Sequence, residues 1–128
     1  MAKILIIDDD VDIAVSTRII LESKNHTVIH SLSGEDGIAK TREEKPDLII
    51  LDVMMPDGMD GFDVARKLKQ EDSAKNIPIL MLTSIKDQLG LDFKNTAGDQ
   101  DWLPVDAYCE KPLKHQELIE TIDKLLDS

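Results

Sequence analysis

The stretch DLIILDVMMP, residues 47–56, runs four aliphatic residues, Leu48 to Leu51, straight into an aspartate, Asp52, and a loop bounded by Pro56. An apolar run without alternation reads as a strand covered on both faces, as in a parallel sheet layered between helices. KILII (3–7) and IPILML (77–82) repeat the pattern, and HTVIH (26–30) and VDAYC (105–109) are weaker strand candidates. The segments between them carry helical spacing. Val11, Ala14, Val15 and Ile19 form one series, and Ser33 with Asp36 makes an S-x-x-D helix start ahead of Ile38 and Ala39. Phe62, Ala65 and Leu68 form another, and Leu118, Ile119, Ile122, Leu125 and Leu126 form a last stripe. Strand and helix alternate about five times, which predicts an α/β fold with a doubly wound, five-stranded parallel sheet flanked by helices.

With 128 residues and no repeat, low-complexity tract or linker, the chain reads as one domain over 1–128. Aromatic residues are only 3% of it, so the core must be built from Ile, Leu, Val and Met. A net charge of −11 argues against a nucleic-acid backbone or an anionic membrane as partner, since both need clustered Lys and Arg. The apolar run of MAKILIIDDD is too brief for a signal peptide, and no segment approaches the roughly 20 apolar residues that span a bilayer. The expected location is the cytoplasm. Cys109 is the only cysteine, which excludes an internal disulfide and reads as a small buried hydrophobe.

In doubly wound sheets ligands bind beyond the carboxyl ends of the strands. The residues there are Asp8, Asp9 and Asp10 after the first run, Asp52 after the third, Thr83 and Ser84 after the fourth, and Glu110, Lys111 and Pro112 after the fifth. Two carboxylates about 4 Å apart repel by roughly 4 kcal/mol at an effective dielectric of about 20, so such a cluster must protonate, spread or hold a cation. Mg2+ suits Asp8 or Asp9 together with Asp52, because it accepts one or two carboxylates, a carbonyl and waters and keeps places for phosphate oxygens. A lysine and a threonine hydroxyl complete a phosphoryl site in which Asp52 is the natural nucleophile.

Taken in order, ILIIDDD, LIILDVMMP, DGFDV, PILMLTS and EKPL resemble the receiver domain of two-component response regulators over essentially the whole chain. The resemblance implies a flavodoxin-like (CheY-like) fold, Mg2+ as cofactor, and a phosphoryl group accepted from a histidine kinase or phosphotransfer protein. It also implies a downstream protein partner and a monomer or phosphorylation-dependent dimer. By position it makes Asp52 the acceptor, Asp8 and Asp9 the metal-binding acids, and the Met54 carbonyl a further metal ligand. Thr83 and Lys111 become the hydroxyl and lysine of the site, Thr83 and Tyr108 the switch pair, and the Lys111–Pro112 bond a cis one. The resemblance also singles out Met54 and Ile85, two residues beyond Asp52 and Thr83, as positions that in receivers influence attack of water on the acyl phosphate; neither can orient water by hydrogen bonding, so slow self-dephosphorylation is expected.

Other readings compete at single positions. Asp8, Asp10 and Asp12 imitate the opening of a calcium loop, but Ile13 and Ile19 stand where that loop needs Gly and Glu. Asp10 reads instead as a helix N-cap. His26, His30 and His115 lack metal spacing and read as surface residues. An aspartate-nucleophile phosphatase would place a D-x-D nucleophile after the first strand, which Asp8 and Asp10 imitate only superficially, and a phosphorylation-independent interaction module is the other alternative. Two departures from the receiver pattern stand out. The PDGMDG loop (56–61) is one residue longer, and residues 85–104 form a longer segment whose Gly90, Gly98 and Pro104 make a regular fourth helix poorly supported. Trp102 lies in that segment as a core residue or a protein-facing anchor.

Overall fold

A computed structural model of the chain describes residues 2–52, 61–72, 74–83, 106–110 and 114–127, with the side chains of 61, 62, 83, 108, 110 and 127 outside the description. Its elements are β1 (Lys3–Ile7), α1 (Val11–Glu22), β2 (Thr27–Ser31), α2 (Gly34–Glu44), β3 (Leu48–Asp52), α3 (Gly61–Gln70), β4 (Ile79–Thr83), β5 (Ala107–Glu110) and α4 (His115–Asp127). All four strand pairings are parallel, in the order β2-β1-β3-β4-β5. The doubly wound sheet expected from the apolar runs is therefore observed, with strand limits shifted by one or two residues. Because the chain steps from β1 outward to β2 and back across to β3, the order reverses between β1 and β3, and the crevice of such a sheet lies there.

The uninterrupted apolar strands feed two cores. Leu5, Ile7, Ile49, Leu51, Ile79 and Met81 face α2 and α3, where Ile38, Val64, Ala65 and Leu68 meet them. Ile4, Ile6, Leu48, Ile50, Leu80, Leu82 and Cys109 face α1 and α4, meeting Ala14, Leu21, Leu118 and Ile122. Cys109 is buried as expected, and burial pushes its thiol pKa up, which keeps it protonated and inert. The α4 stripe docks as its spacing predicts.

In α1 the helix forms as its spacing predicts, but of the series Val11, Ala14, Val15 and Ile19 only Ala14 is buried. Ala14, Thr17 and Leu21 are buried, while Val11, Val15 and Ile19 are 53%, 48% and 63% exposed. Val15 and Thr17 are separated by about 200° around the axis, so this helix has apolar residues on opposite sides and periodicity alone cannot choose between them. The small Ala14 and Thr17 let the helix lie close to the sheet, and Leu21 fills the far end.

Two aspartates fasten the amino ends of the strands. Asp47 accepts a hydrogen bond from the Lys3 N–H at 2.8 Å and Asp106 accepts one from the Ile79 N–H at 2.8 Å, each joining the start of one strand to its neighbour. Lys69 Nζ lies 3.2 Å from the Asp106 carboxylate and bonds the Ile77 carbonyl, tying the end of α3 into the same corner. His26 is not a plain surface residue: it is half-buried, and its Nδ1 accepts from the Ala2 N–H at 3.1 Å.

A Cβ on Gly37, in α2, would meet Ile7 Cδ1 at 2.5 Å and Cγ1 at 2.7 Å. Gly37→Ala is therefore expected to destabilise the domain by about 1–3 kcal/mol in urea denaturation, although alanine is the better helix former. A second expectation concerns pH. Burial, then the positive N-terminus, lowers the His26 pKa, with Asp123 opposing, so the fold prefers the neutral ring. The contribution is complete above the ordinary imidazole value of 6.5 and is lost as pH falls from there through the lowered folded value. Urea midpoints should accordingly drop more for wild type than for His26→Gln on moving from about pH 7.5 to about pH 5.5.

Candidate functional site

The β1–β3 ladder pairs Ile7 with Leu51, so the next residues on the two strands, Asp8 and Asp52, emerge side by side. Asp8 is 0% exposed and Asp52 5%, whereas Asp9 is exposed. One carboxylate oxygen from each of the three lies within 4.8 Å of the others. The strand ends thus converge as the sequence predicts for Asp8, Asp9 and Asp52. Three hard oxygen donors, two of them shielded from water, are a donor set suited to Mg2+.

The three consecutive acids do different work. Asp8 is held from three sides: its N–H donates to the Ser31 carbonyl at 3.0 Å, its Oδ1 accepts from the Asp10 N–H at 2.8 Å, and its carbonyl lies 2.9 Å from His30 Nε2. A carbonyl only accepts, so Nε2 must carry the hydrogen. Asp10 caps α1, its Oδ1 accepting from the Asp12 and Ile13 N–H groups at 3.0 and 3.2 Å, as expected and at odds with a calcium loop.

Behind Asp8 stands a polar group from β2 and α2. The Ser31 hydroxyl donates to Asp36 Oδ2 at 2.7 Å, Lys40 Nζ lies 3.0 Å from the same oxygen, and Lys40 also donates to the His30 carbonyl at 2.8 Å. The Ser31 hydroxyl and the Lys40 ammonium hold the Asp36 carboxyl below its ordinary pKa. The S-x-x-D start is thus half realised: Ser33 accepts from the Asp36 N–H, but the Asp36 side chain turns to Ser31 and Lys40 rather than back to the cap. The sequence reading missed His30, Ser31, Asp36 and Lys40 as supports of the site. It also took His30 for a surface residue, whereas the ring is half-buried against Asp8. The available signal was position: His30 and Ser31 end a strand that a parallel order must lay beside β1.

Thr83 ends β4 one step beyond Leu82, the partner of Asp52, so its backbone stands at the same edge. The side chains of Thr83 and Tyr108 lie outside the described residues. So do Met54, Ile85, Trp102, Lys111, the Lys111–Pro112 bond, nearly all of the 56–61 loop and the 85–104 segment. No helix among the described residues is long and apolar enough to cross a membrane.

Comparison with known proteins extends the pattern. The family model of the response regulator receiver domain matches residues 4–123. Protein PilH of Pseudomonas aeruginosa is 32% identical over 126 residues, covering 98% of both chains. The alkaline phosphatase synthesis transcriptional regulatory protein PhoP of Bacillus subtilis is 37% identical over 97% of this chain, which spans only 48% of that protein. A putative response regulator from Chloroflexus aurantiacus superposes with a TM-score of 0.86 at 30% identity, covering 99% of this chain and 98% of its own.

Crowding of like charges has a direct consequence in metal-free protein. Asp9→Asn should raise the stability measured by urea denaturation in EDTA by about 1 kcal/mol at neutral pH.

Proposed function

The chain belongs to the receiver domain family of two-component response regulators, and on that premise we propose that Asp52 is its phosphoryl acceptor. The observation that carries this assignment is the burial of Asp52 at the end of β3, within 4.8 Å of the carboxylates of Asp8 and Asp9. Phosphoryl-accepting signal transduction is the activity of the family. The residues that perform it here, the cation and the partners are our reading.

Asp8, Asp9 and Asp52, with the Met54 carbonyl assigned by position, would hold Mg2+. Bound there, Mg2+ supplies positive charge against the phosphoryl oxygens. In transfer, a carboxylate oxygen of Asp52 attacks phosphorus while the bond from phosphorus to the donor's histidine nitrogen breaks; that nitrogen keeps the electron pair, and the product is an acyl phosphate on Asp52. Lys111 adds a second positive point, and the Thr83 hydroxyl donates a hydrogen bond to a phosphoryl oxygen. Burial of Asp8 and the three bonds that fix it mean that little reorganisation is needed at the moment of reaction.

Phosphorylation would draw Thr83 toward the phosphoryl group, let Tyr108 move inward, and bias a two-state equilibrium toward a form that a downstream protein recognises. The phosphoryl donor is a histidine kinase or phosphotransfer protein. Such a donor has to approach the β1–α1 junction, where the exposed side of Val11, Val15 and Ile19 begins, and an apolar surface beside the site favours a protein donor. We read the chain as one receiver unit over 1–128, cytoplasmic, acting as a signalling switch rather than a multiple-turnover enzyme, and monomeric or dimeric according to phosphorylation.

Intact-protein mass spectrometry after incubation with acetyl phosphate tests the assignment. Wild type should gain the mass of a single phosphoryl group only when Mg2+ is present, and Asp52→Asn should gain none. Labelling of Asp52→Asn equal to wild type would place the acceptor elsewhere. An unlabelled, folded wild type would favour the phosphorylation-independent interaction module.

A further inference from the structure

His30 lies one strand away from the acidic cluster, yet its ring reaches the peptide that joins Asp8 to Asp9. Nε2 is 2.9 Å from the Asp8 carbonyl oxygen, and that carbonyl belongs to the peptide unit flanked by the two acids. The N–H of Asp8 is meanwhile bonded to the Ser31 carbonyl, so adjacent residues of β2 grip the Asp8 backbone on both sides, one through main chain and one through side chain. A peptide unit is planar, so fixing its carbonyl direction restricts how the Cα–Cβ vectors of Asp8 and Asp9 point relative to one another. His30 is itself anchored, its own carbonyl accepting from Lys40 Nζ at 2.8 Å, with Lys40 paired to Asp36. The strand-to-loop carbonyl of Asp8 thereby has the partner that a partly shielded backbone oxygen requires.

We infer that His30 is a positioning residue for the metal-binding acid pair: its Nε2–H sets the peptide between Asp8 and Asp9 and so the mutual direction of their carboxylates toward a divalent cation. The inference rests on the receiver reading of the cluster. His30 touches neither cation nor phosphoryl group, and its effect passes through the Asp8 carbonyl. Partners that orient metal ligands commonly govern affinity by about tenfold or more when lost.

The test measures Mg2+ binding to the unphosphorylated protein by isothermal titration calorimetry, with thermal stability in EDTA recorded alongside. His30→Leu removes the donor. His30→Gln offers an amide N–H close to the Nε2 position, whereas His30→Asn is polar but one methylene too short to reach. His30→Leu and His30→Asn should weaken Mg2+ binding by about tenfold, and His30→Gln should stay within about threefold of wild type. The metal-free melting temperatures should not follow that order, because a purely structural role would make affinity track stability. If His30→Leu fails to fold, the Gln and Asn pair carries the comparison. Wild-type affinity in His30→Leu or His30→Asn, or a loss in His30→Gln equal to that in His30→Asn, overturns the positioning role while leaving the site assignment intact. Failure of wild type to bind Mg2+, or binding that Asp9→Asn and Asp52→Asn leave unchanged, overturns the site reading and the positioning role with it.

Discussion

Everything in this domain hangs on the parallel ladder between β1 and β3. Ile4 to Ile7 and Leu48 to Leu51 are fully or almost fully buried, so neither strand can display a polar side chain along its length. Polar chemistry is confined to the point where each strand leaves the sheet. Because the strands are parallel and in register from Ile4↔Leu48 to Ile7↔Leu51, both leave at the same level, and the acids that follow are forced together. The cluster is thus a by-product of the core: the aliphatic pairing that stabilises the sheet overcomes the mutual repulsion that three carboxylates would otherwise use to separate.

Most of this was legible in the chain. Continuous apolar runs gave the strands, their interruptions gave the helices, and the residues just beyond the runs gave Asp8, Asp9 and Asp52. What stayed hidden depended on contacts between distant segments. The phase of α1 could not be read because Val11, Val15 and Ile19 are as apolar as a core face, while the buried face includes Thr17, a polar residue that composition assigns outward. His30 could not be read as a support because its role comes from lying next to Asp8 across a strand pairing twenty-two positions apart. Asp36 illustrates a third kind of miss: a local motif recognised correctly, whose side chain is captured by a neighbour, Ser31, rather than by the cap that the motif specifies.

The two ends of the sheet are built in opposite ways. At the amino ends, Asp47 and Asp106 each find backbone donors, and Asp106 adds a lysine, so negative charge there is locally compensated. At the carboxyl ends, Asp8, Asp9 and Asp52 instead turn their carboxylates toward one another, one oxygen of each lying within 4.8 Å of the others. The same residue type staples the fold at one edge and gathers a set of oxygen donors at the other.

The outward side of α1 bears on how copies of this protein behave toward each other. Val11, Val15 and Ile19 lie along one exposed line, and an apolar line of this kind invites self-association. The chain also carries a net charge of −11, so two copies repel one another as they approach. Colloidal stability is therefore electrostatic and short-ranged at physiological ionic strength, where the repulsion decays over about 8 Å. The net acidity opposes the contact between copies that the apolar line invites, an opposition that a complementary basic surface would not meet.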